Sequence, residues 1–104
     1  MERCYYADYV KTFVSKNNDE ILGKLVSSSD FDSSIFQKNA WQEEINILKN
    51  ELALFSDGFI AFEYTIPRVG KRIDNVFIYK NIVFLLEFKV GESKYKKNDI
   101  IQII

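Results

Sequence analysis

The sequence predicts one α/β domain in which N-terminal helices precede a three-stranded, mainly antiparallel meander and a C-terminal helix. Three observations carry that expectation. Apolar residues recur at helical spacing as far as Leu54, and from Phe59 onward the pattern becomes that of strands. The change falls at Asp57-Gly58, a turn-forming pair. With 47% hydrophobic and 15% aromatic residues, a chain of 104 residues can fill one core.

The elements follow in order. In residues 5–14, Tyr5, Tyr6, Tyr9, Val10, Phe13 and Val14 recur at helical intervals, which predicts a first amphipathic helix. Asn17, Asn18, Asp19 and Glu20 supply capping residues for a short second helix carrying Ile21, Leu22, Leu25 and Val26. The Ser- and Asp-rich stretch 27–34 reads as the loop that ends it. A third helix is predicted from Gln37 to Leu54, with Ala40, Trp41, Ile45, Leu48 and Leu52 along one face. Strands are predicted over Phe59–Ile66, Arg72–Tyr79 and Ile82–Lys89, because these runs are aromatic and β-branched. Residues 67–70 form the first turn and Lys80-Asn81 the second. The nearly continuous apolar run of the third strand predicts burial on both faces. Residues 90–98 read as a polar, lysine-rich loop, after which Asp99 caps a last helix opening with Ile100, Ile101, Ile103 and Ile104. Because the chain stops inside that apolar pattern, a fragment of a longer protein is expected. The unfinished sheet edge predicts self-association, such as a homodimer.

Composition narrows the chemistry. Fourteen basic and 15 acidic residues leave a net charge of -1, so phosphate binding must be local and not a global basic footprint. The absence of histidine removes Ser-His and Cys-His catalysis and histidine-ligated zinc. The single Cys4 excludes an internal disulfide, points to the reducing cytoplasm and reads as a small packing residue. The N-terminus lacks a signal-peptide layout, and no apolar run approaches the ~20 residues that span a bilayer. Carboxylates, lysines, hydroxyls or a metal must carry any reaction.

Two carboxylates stand where they are costly. Alternation places Val83, Leu85, Glu87 and Lys89 on one side of the third strand, with Phe84, Leu86 and Phe88 on the other. Glu87 thus ends an apolar strand, and Asp74 sits between Ile73 and Val76-Phe77-Ile78 in its neighbour. Each is expensive to bury unless a metal ion or a lysine pairs with it. Two hard oxygen ligands with open positions for water and a phosphate oxygen suit Mg²⁺. Lys89 beside such an ion is suited to orient or deprotonate water, or to stabilise charge on phosphorus.

Ile73-Asp74, twelve intervening residues and Glu87-Phe88-Lys89 closing an apolar strand resemble the PD-(D/E)XK nuclease superfamily. Its restriction-endonuclease-like core sets a helix before a three-stranded meander, with the Asp in the second strand and the (D/E)-x-K ending the third. Residues 62–74 and 86–91 are similar, more narrowly, to the nuclease-like domain that precedes Schlafen-like ATPase/helicase modules in bacterial proteins. The resemblance implies a nuclease core over residues 37–104, a helical extension over 1–36, and an ATPase/helicase domain downstream. It implies hydrolysis of DNA or RNA with Mg²⁺ or Mn²⁺. Asp74 and Glu87 would hold the metal, with the Phe88 carbonyl as a further ligand and Lys89 activating water. The family's helical glutamate matches Glu44, with Glu43 the nearby alternative, and a glutamine on the following helix matches Gln102. Ile73 replaces the proline of the nominal motif, a common departure, and the family's later strand and helix are missing. The competing expectation is a module that keeps this fold without turnover and serves an attached ATPase; a purely structural interaction domain is a third.

Other charges admit two readings. Arg68, Lys71 and Arg72 lie beside the turn leading to Asp74, where they either contact a phosphate backbone or are ordinary hairpin charge. Lys94, Lys96 and Lys97 around Tyr95 grip a strand or form a solvated loop. Glu63 is either a further acidic site member or a paired structural glutamate. Trp41 and the N-terminal tyrosines read as core. Gly70-Lys71 does not make a phosphate loop, since Thr65 stands where the first glycine is required and Arg72 replaces Ser/Thr.

Overall fold

The structure, a computed structural model, describes residues 3–29, 34–55, 57–88 and the backbone of 100–103. It is a small α/β domain of three helices on an antiparallel sheet. The strands are β1 (Tyr6–Tyr9), β2 (Phe59–Thr65), β3 (Arg72–Tyr79), β4 (Ile82–Leu86) and β5 (Ile100–Ile103), paired in chain order. The helices are α1 (Val10–Ser15), α2 (Asn18–Ser28) and α3 (Ile35–Leu52). The predicted three-stranded meander is therefore present, with its third strand ending at Leu86 and not running on through Glu87 and Phe88 as expected, and it gains one antiparallel strand at each edge.

Both added strands correct the sequence reading. Residues 5–14 do not form one helix: Tyr6–Tyr9 pair with Phe62–Phe59, and helix begins only at Val10. The helical spacing was genuine for Val10 and Phe13, both fully buried, but the tyrosines before them complete the open edge of β2. At the other end the predicted helix is replaced by β5, whose Gln102 pairs with Phe84 and whose Ile101 pairs with Leu85. Three isoleucines in four residues favour extended backbone beside the unpaired edge of β4. Residues 90–98 and Asp99 lie outside the described residues. β4 is also less buried than predicted, since Ile82 to Leu85 are only half-buried.

The helix caps follow local chemistry. The Asn17 side chain accepts from the Asp19 N–H at 2.7 Å and opens α2 as predicted. Ser34 accepts from the Gln37 N–H at 3.0 Å and starts α3 two residues earlier than expected. On α3 the buried stripe is Trp41, Glu44, Ile45, Leu48 and Leu52; Ala40 is exposed, and a glutamate occupies the inward place instead. Among the described residues no helix is long and apolar enough to cross a membrane.

The helices cover one face of the sheet. Val10, Phe13, Ile21, Leu25, Trp41, Ile45 and Leu48 pack onto Ile60, Phe62, Phe77 and Leu86. The opposite face carries a smaller cluster of Ala61, Ile73 and Val76, flanked by Cys4, Tyr64, Val83 and Leu85. Cys4 is thus a packing residue, as read.

Gly58 joins the layers at the start of β2. Its φ is +126°, its carbonyl accepts from the Val10 N–H, and an added Cβ would stand 3.0 Å from the Phe77 ring and 3.1 Å from the Ile78 carbonyl oxygen. Backbone strain and overpacking then act together. Gly58→Ala is expected to destabilise the domain by about 2–4 kcal/mol in urea denaturation. An unchanged midpoint would contradict this account of the junction.

Candidate active site

The site grows from a shared irregularity in β2 and β3. Ala61 pairs with Val76, Phe62 with Asn75 and Tyr64 with Ile73, which leaves Glu63 opposite Asp74. Ala61 and Val76 belong to the outer cluster and Phe62 to the helix-side core, yet Tyr64 and Ile73 return to the outer side. Strict alternation would put Tyr64 with Phe62. The facing is reset at Glu63, whose φ of 56° lies in the left-handed region that a glutamate rarely enters. The reset carries the Glu63 carboxylate to the helix side, where Trp41 donates from Nε1 to Oε2 at 3.1 Å. Its other oxygen, Oε1, meets Arg72 Nε at 3.0 Å.

Asp74 and Glu87 are joined where β4 ends. The Asp74 N–H donates to Glu87 Oε2 at 3.3 Å, and the Phe88 N–H donates to Asp74 Oδ2 at 2.8 Å. Asp74 thus takes a backbone donor from the segment just past Leu86, and Glu87 takes one from β3. From the helix layer comes Glu44, only 6% exposed, whose Oε1 is buried without a hydrogen-bond partner among the described residues. A second orphan lies nearby. Asn75 is fully buried, donates from Nδ2 to the Ala61 carbonyl at 3.4 Å and leaves Oδ1 without a partner among the described residues.

Burial and mutual repulsion set the electrostatics. Burial, followed by the charges of Asp74, Glu63, Glu87 and Glu43, pushes the Glu44 carboxyl up to about 9. Burial also raises Glu63, outweighing the Trp41 hydrogen bond and Arg72, and Asp74 and Glu87 add to the rise. Asp74 is raised by burial against the opposing effects of the Phe88 N–H and Arg72. Four carboxylates therefore share one region, and Arg72 is the cation whose charge reaches both Glu63 and Asp74. Even so, among the described residues no three His, Cys, Asp or Glu side chains stand ready-made to hold a metal ion.

The predicted residues divide accordingly. Asp74, Glu87 and Glu44 are brought together, the Phe88 backbone takes part through its N–H, and Glu43 is exposed. Arg68 and Lys71 are exposed in the turn, while Arg72 is engaged by Glu63 and by the Tyr5 hydroxyl at 2.8 Å. Gln102 lies on a strand and not a helix. Lys89, Lys94, Tyr95, Lys96 and Lys97 fall outside the described residues. The sequence reading missed Trp41 as a donor to the site and Asn75 as its buried polar neighbour. An asparagine inside the aromatic run of β3 was the available signal for the latter.

Comparison with protein-family models, with curated proteins and with solved structures finds no match to this chain.

Proposed function

We propose that the domain is a metal-dependent nuclease with a restriction-endonuclease-like core, hydrolysing phosphodiester bonds in DNA or RNA. The observation that carries the reading is the buried Glu44 oxygen, unpartnered among the described residues and subject to the charges of Asp74, Glu63 and Glu87. Ionising a buried carboxyl among other acidic groups is costly, and a divalent cation removes that cost. The donors are all hard oxygens, which suits Mg²⁺ or Mn²⁺. Asp74 and Glu87 would hold the ion, with Glu44 and the Phe88 carbonyl beside them. When bound, such an ion lowers the pKa of water and offsets charge on phosphorus. Lys89 would orient the attacking water and stabilise the developing phosphate charge. An ATPase/helicase domain in the same polypeptide is the partner this reading suggests.

One observation favours a second reading, a nucleic-acid-binding module without turnover attached to such an ATPase: no three acidic side chains are preassembled as ligands among the described residues. Calorimetric titration with Mg²⁺ and Mn²⁺, paired with cleavage assays on plasmid DNA and single-stranded RNA, separates the two. Metal binding with metal-dependent cleavage is expected. Nucleic-acid binding by a folded domain that takes up no metal would establish the second reading, and absence of both affinities would leave only a structural role.

A further inference from the structure

Arg72 is held on three sides. Its Nε meets the Glu63 carboxylate, its Nη1 donates to the Tyr5 hydroxyl, and the guanidinium lies 5.2 Å from the centre of the Tyr5 ring. Among the described residues its Nη2 has no partner. The side chain is 51% exposed, whereas that of Glu63 is only 11% exposed, so the guanidinium stands at the rim with its anchor buried behind it. The anchor is itself fixed, because Trp41 is buried in the core and donates to the second Glu63 oxygen. Glu63 reaches both partners through its left-handed backbone, a conformation that persists where surroundings enforce it.

A strand of nucleic acid approaching this region meets the acidic cluster of Glu63, Asp74 and Glu87, which repels its phosphates. A fixed cation at the rim offsets that repulsion. An arginine held through Nε and Nη1 keeps its planar fork oriented, which a free surface lysine does not. Arg68 and Lys71, exposed on the adjoining turn, have no comparable anchor in the described contacts.

We infer that Trp41, Glu63 and Tyr5 hold Arg72 as a preset phosphate-recognition arm, which grips a phosphate of a nucleic-acid strand beside the carboxylate cluster. Trp41 and Glu63 are positioning residues and Arg72 is the contact. The inference rests on the nuclease-like reading only for its choice of a phosphodiester ligand, since gripping requires no metal and no turnover.

The sign of the Glu63→Gln effect makes the test decisive. If Glu63 were merely one more negative charge, removing it would tighten binding to a polyanion. As an anchor it must present two acceptors, one to Trp41 and one to Arg72. Glutamine offers one acceptor and one donor, so one contact is lost and binding weakens.

Binding of fluorescein-labelled oligothymidylate and oligouridylate is measured by anisotropy across a salt series, in EDTA, with the 104-residue chain. Arg72→Ala is expected to weaken binding by about tenfold and to lower the salt slope by about one. Arg72→Lys, which keeps the charge but not the fork, recovers the slope without the full affinity. Glu63→Gln and Trp41→Phe weaken binding in the same direction, while thermal melts report their folding separately. Glu63→Gln tightening the complex, or Arg72→Ala leaving both affinity and slope unchanged, would overturn the inference. Absence of oligonucleotide binding by the wild-type chain at low salt would overturn it as well, and binding of a phosphopeptide in preference to either oligonucleotide would reassign the arm. Loss of cleavage alone bears on the nuclease reading and leaves this one standing.

Discussion

Asp74→Asn is expected to lower Mg²⁺-dependent cleavage by about 1000-fold or more while the domain remains folded. The separation of the two effects comes from the local geometry. Asparagine keeps an oxygen that accepts from the Phe88 N–H, so the join between β3 and the end of β4 survives. It removes the negative charge that burial disfavours and that raises Glu44 and Glu63, which offsets the lost attraction to Arg72. What disappears is a hard anionic ligand. Lys89→Ala should produce a comparable loss of turnover with metal affinity retained, because its role is directed at water and phosphate and not at the ion. Calorimetry for the metal and a steady-state cleavage assay distinguish the two variants. Asp74→Asn cleaving at the wild-type rate would remove the basis for placing the reaction at this site.

How much of this was legible in the sequence depends on which rules were local. The spacing from Asp74 to Glu87 and the inward position of Glu44 follow from strand and helix periodicity; the structure joins the first two by hydrogen bonds and buries Glu44 within reach of their charge. The Asn17 cap was equally local. Ser34-x-x-Gln37 has the form of a capping box, but Ser34 was read as the end of the preceding loop, and the helix start was placed two residues late. The tyrosines of β1 were not, because their spacing satisfies a helix and only the open edge of β2 selects a strand. The same competition decided β5 against a helix carrying Gln102. Glu63 is the clearest case of hidden information. Nothing in Phe62-Glu63-Tyr64 announces a left-handed glutamate, whose conformation is enforced by partners far away in sequence, Trp41 on α3 and Arg72 on β3. The acidic pair could be read in one dimension, but the scaffold around its neighbour could not.

Glu44→Gln is expected to blunt the domain's loss of stability at alkaline pH. The ordinary carboxyl value is 4.5, and in the folded chain Glu44 is pushed up to about 9. Between those limits the unfolded chain has released a proton that the folded chain keeps, so stability falls as pH rises through the window. The full displacement corresponds to an effect on the order of 3–6 kcal/mol, a large share of the stability of a small domain. In EDTA, wild-type melting temperatures should therefore decline from the acidic to the alkaline end, and Glu44→Gln should decline less steeply and lie above wild type at the alkaline end. Divalent cation acts with the opposite sign. It favours the ionised carboxyl, so wild type should gain most from Mg²⁺ or Mn²⁺ where the apo protein is weakest, and Glu44→Gln should gain less at every pH. A flat wild-type profile in EDTA would mean that the buried carboxyl finds compensation elsewhere. A Glu44→Gln profile that keeps the wild-type slope would mean that Glu63 or Asp74, also raised by burial, governs the titration of this site.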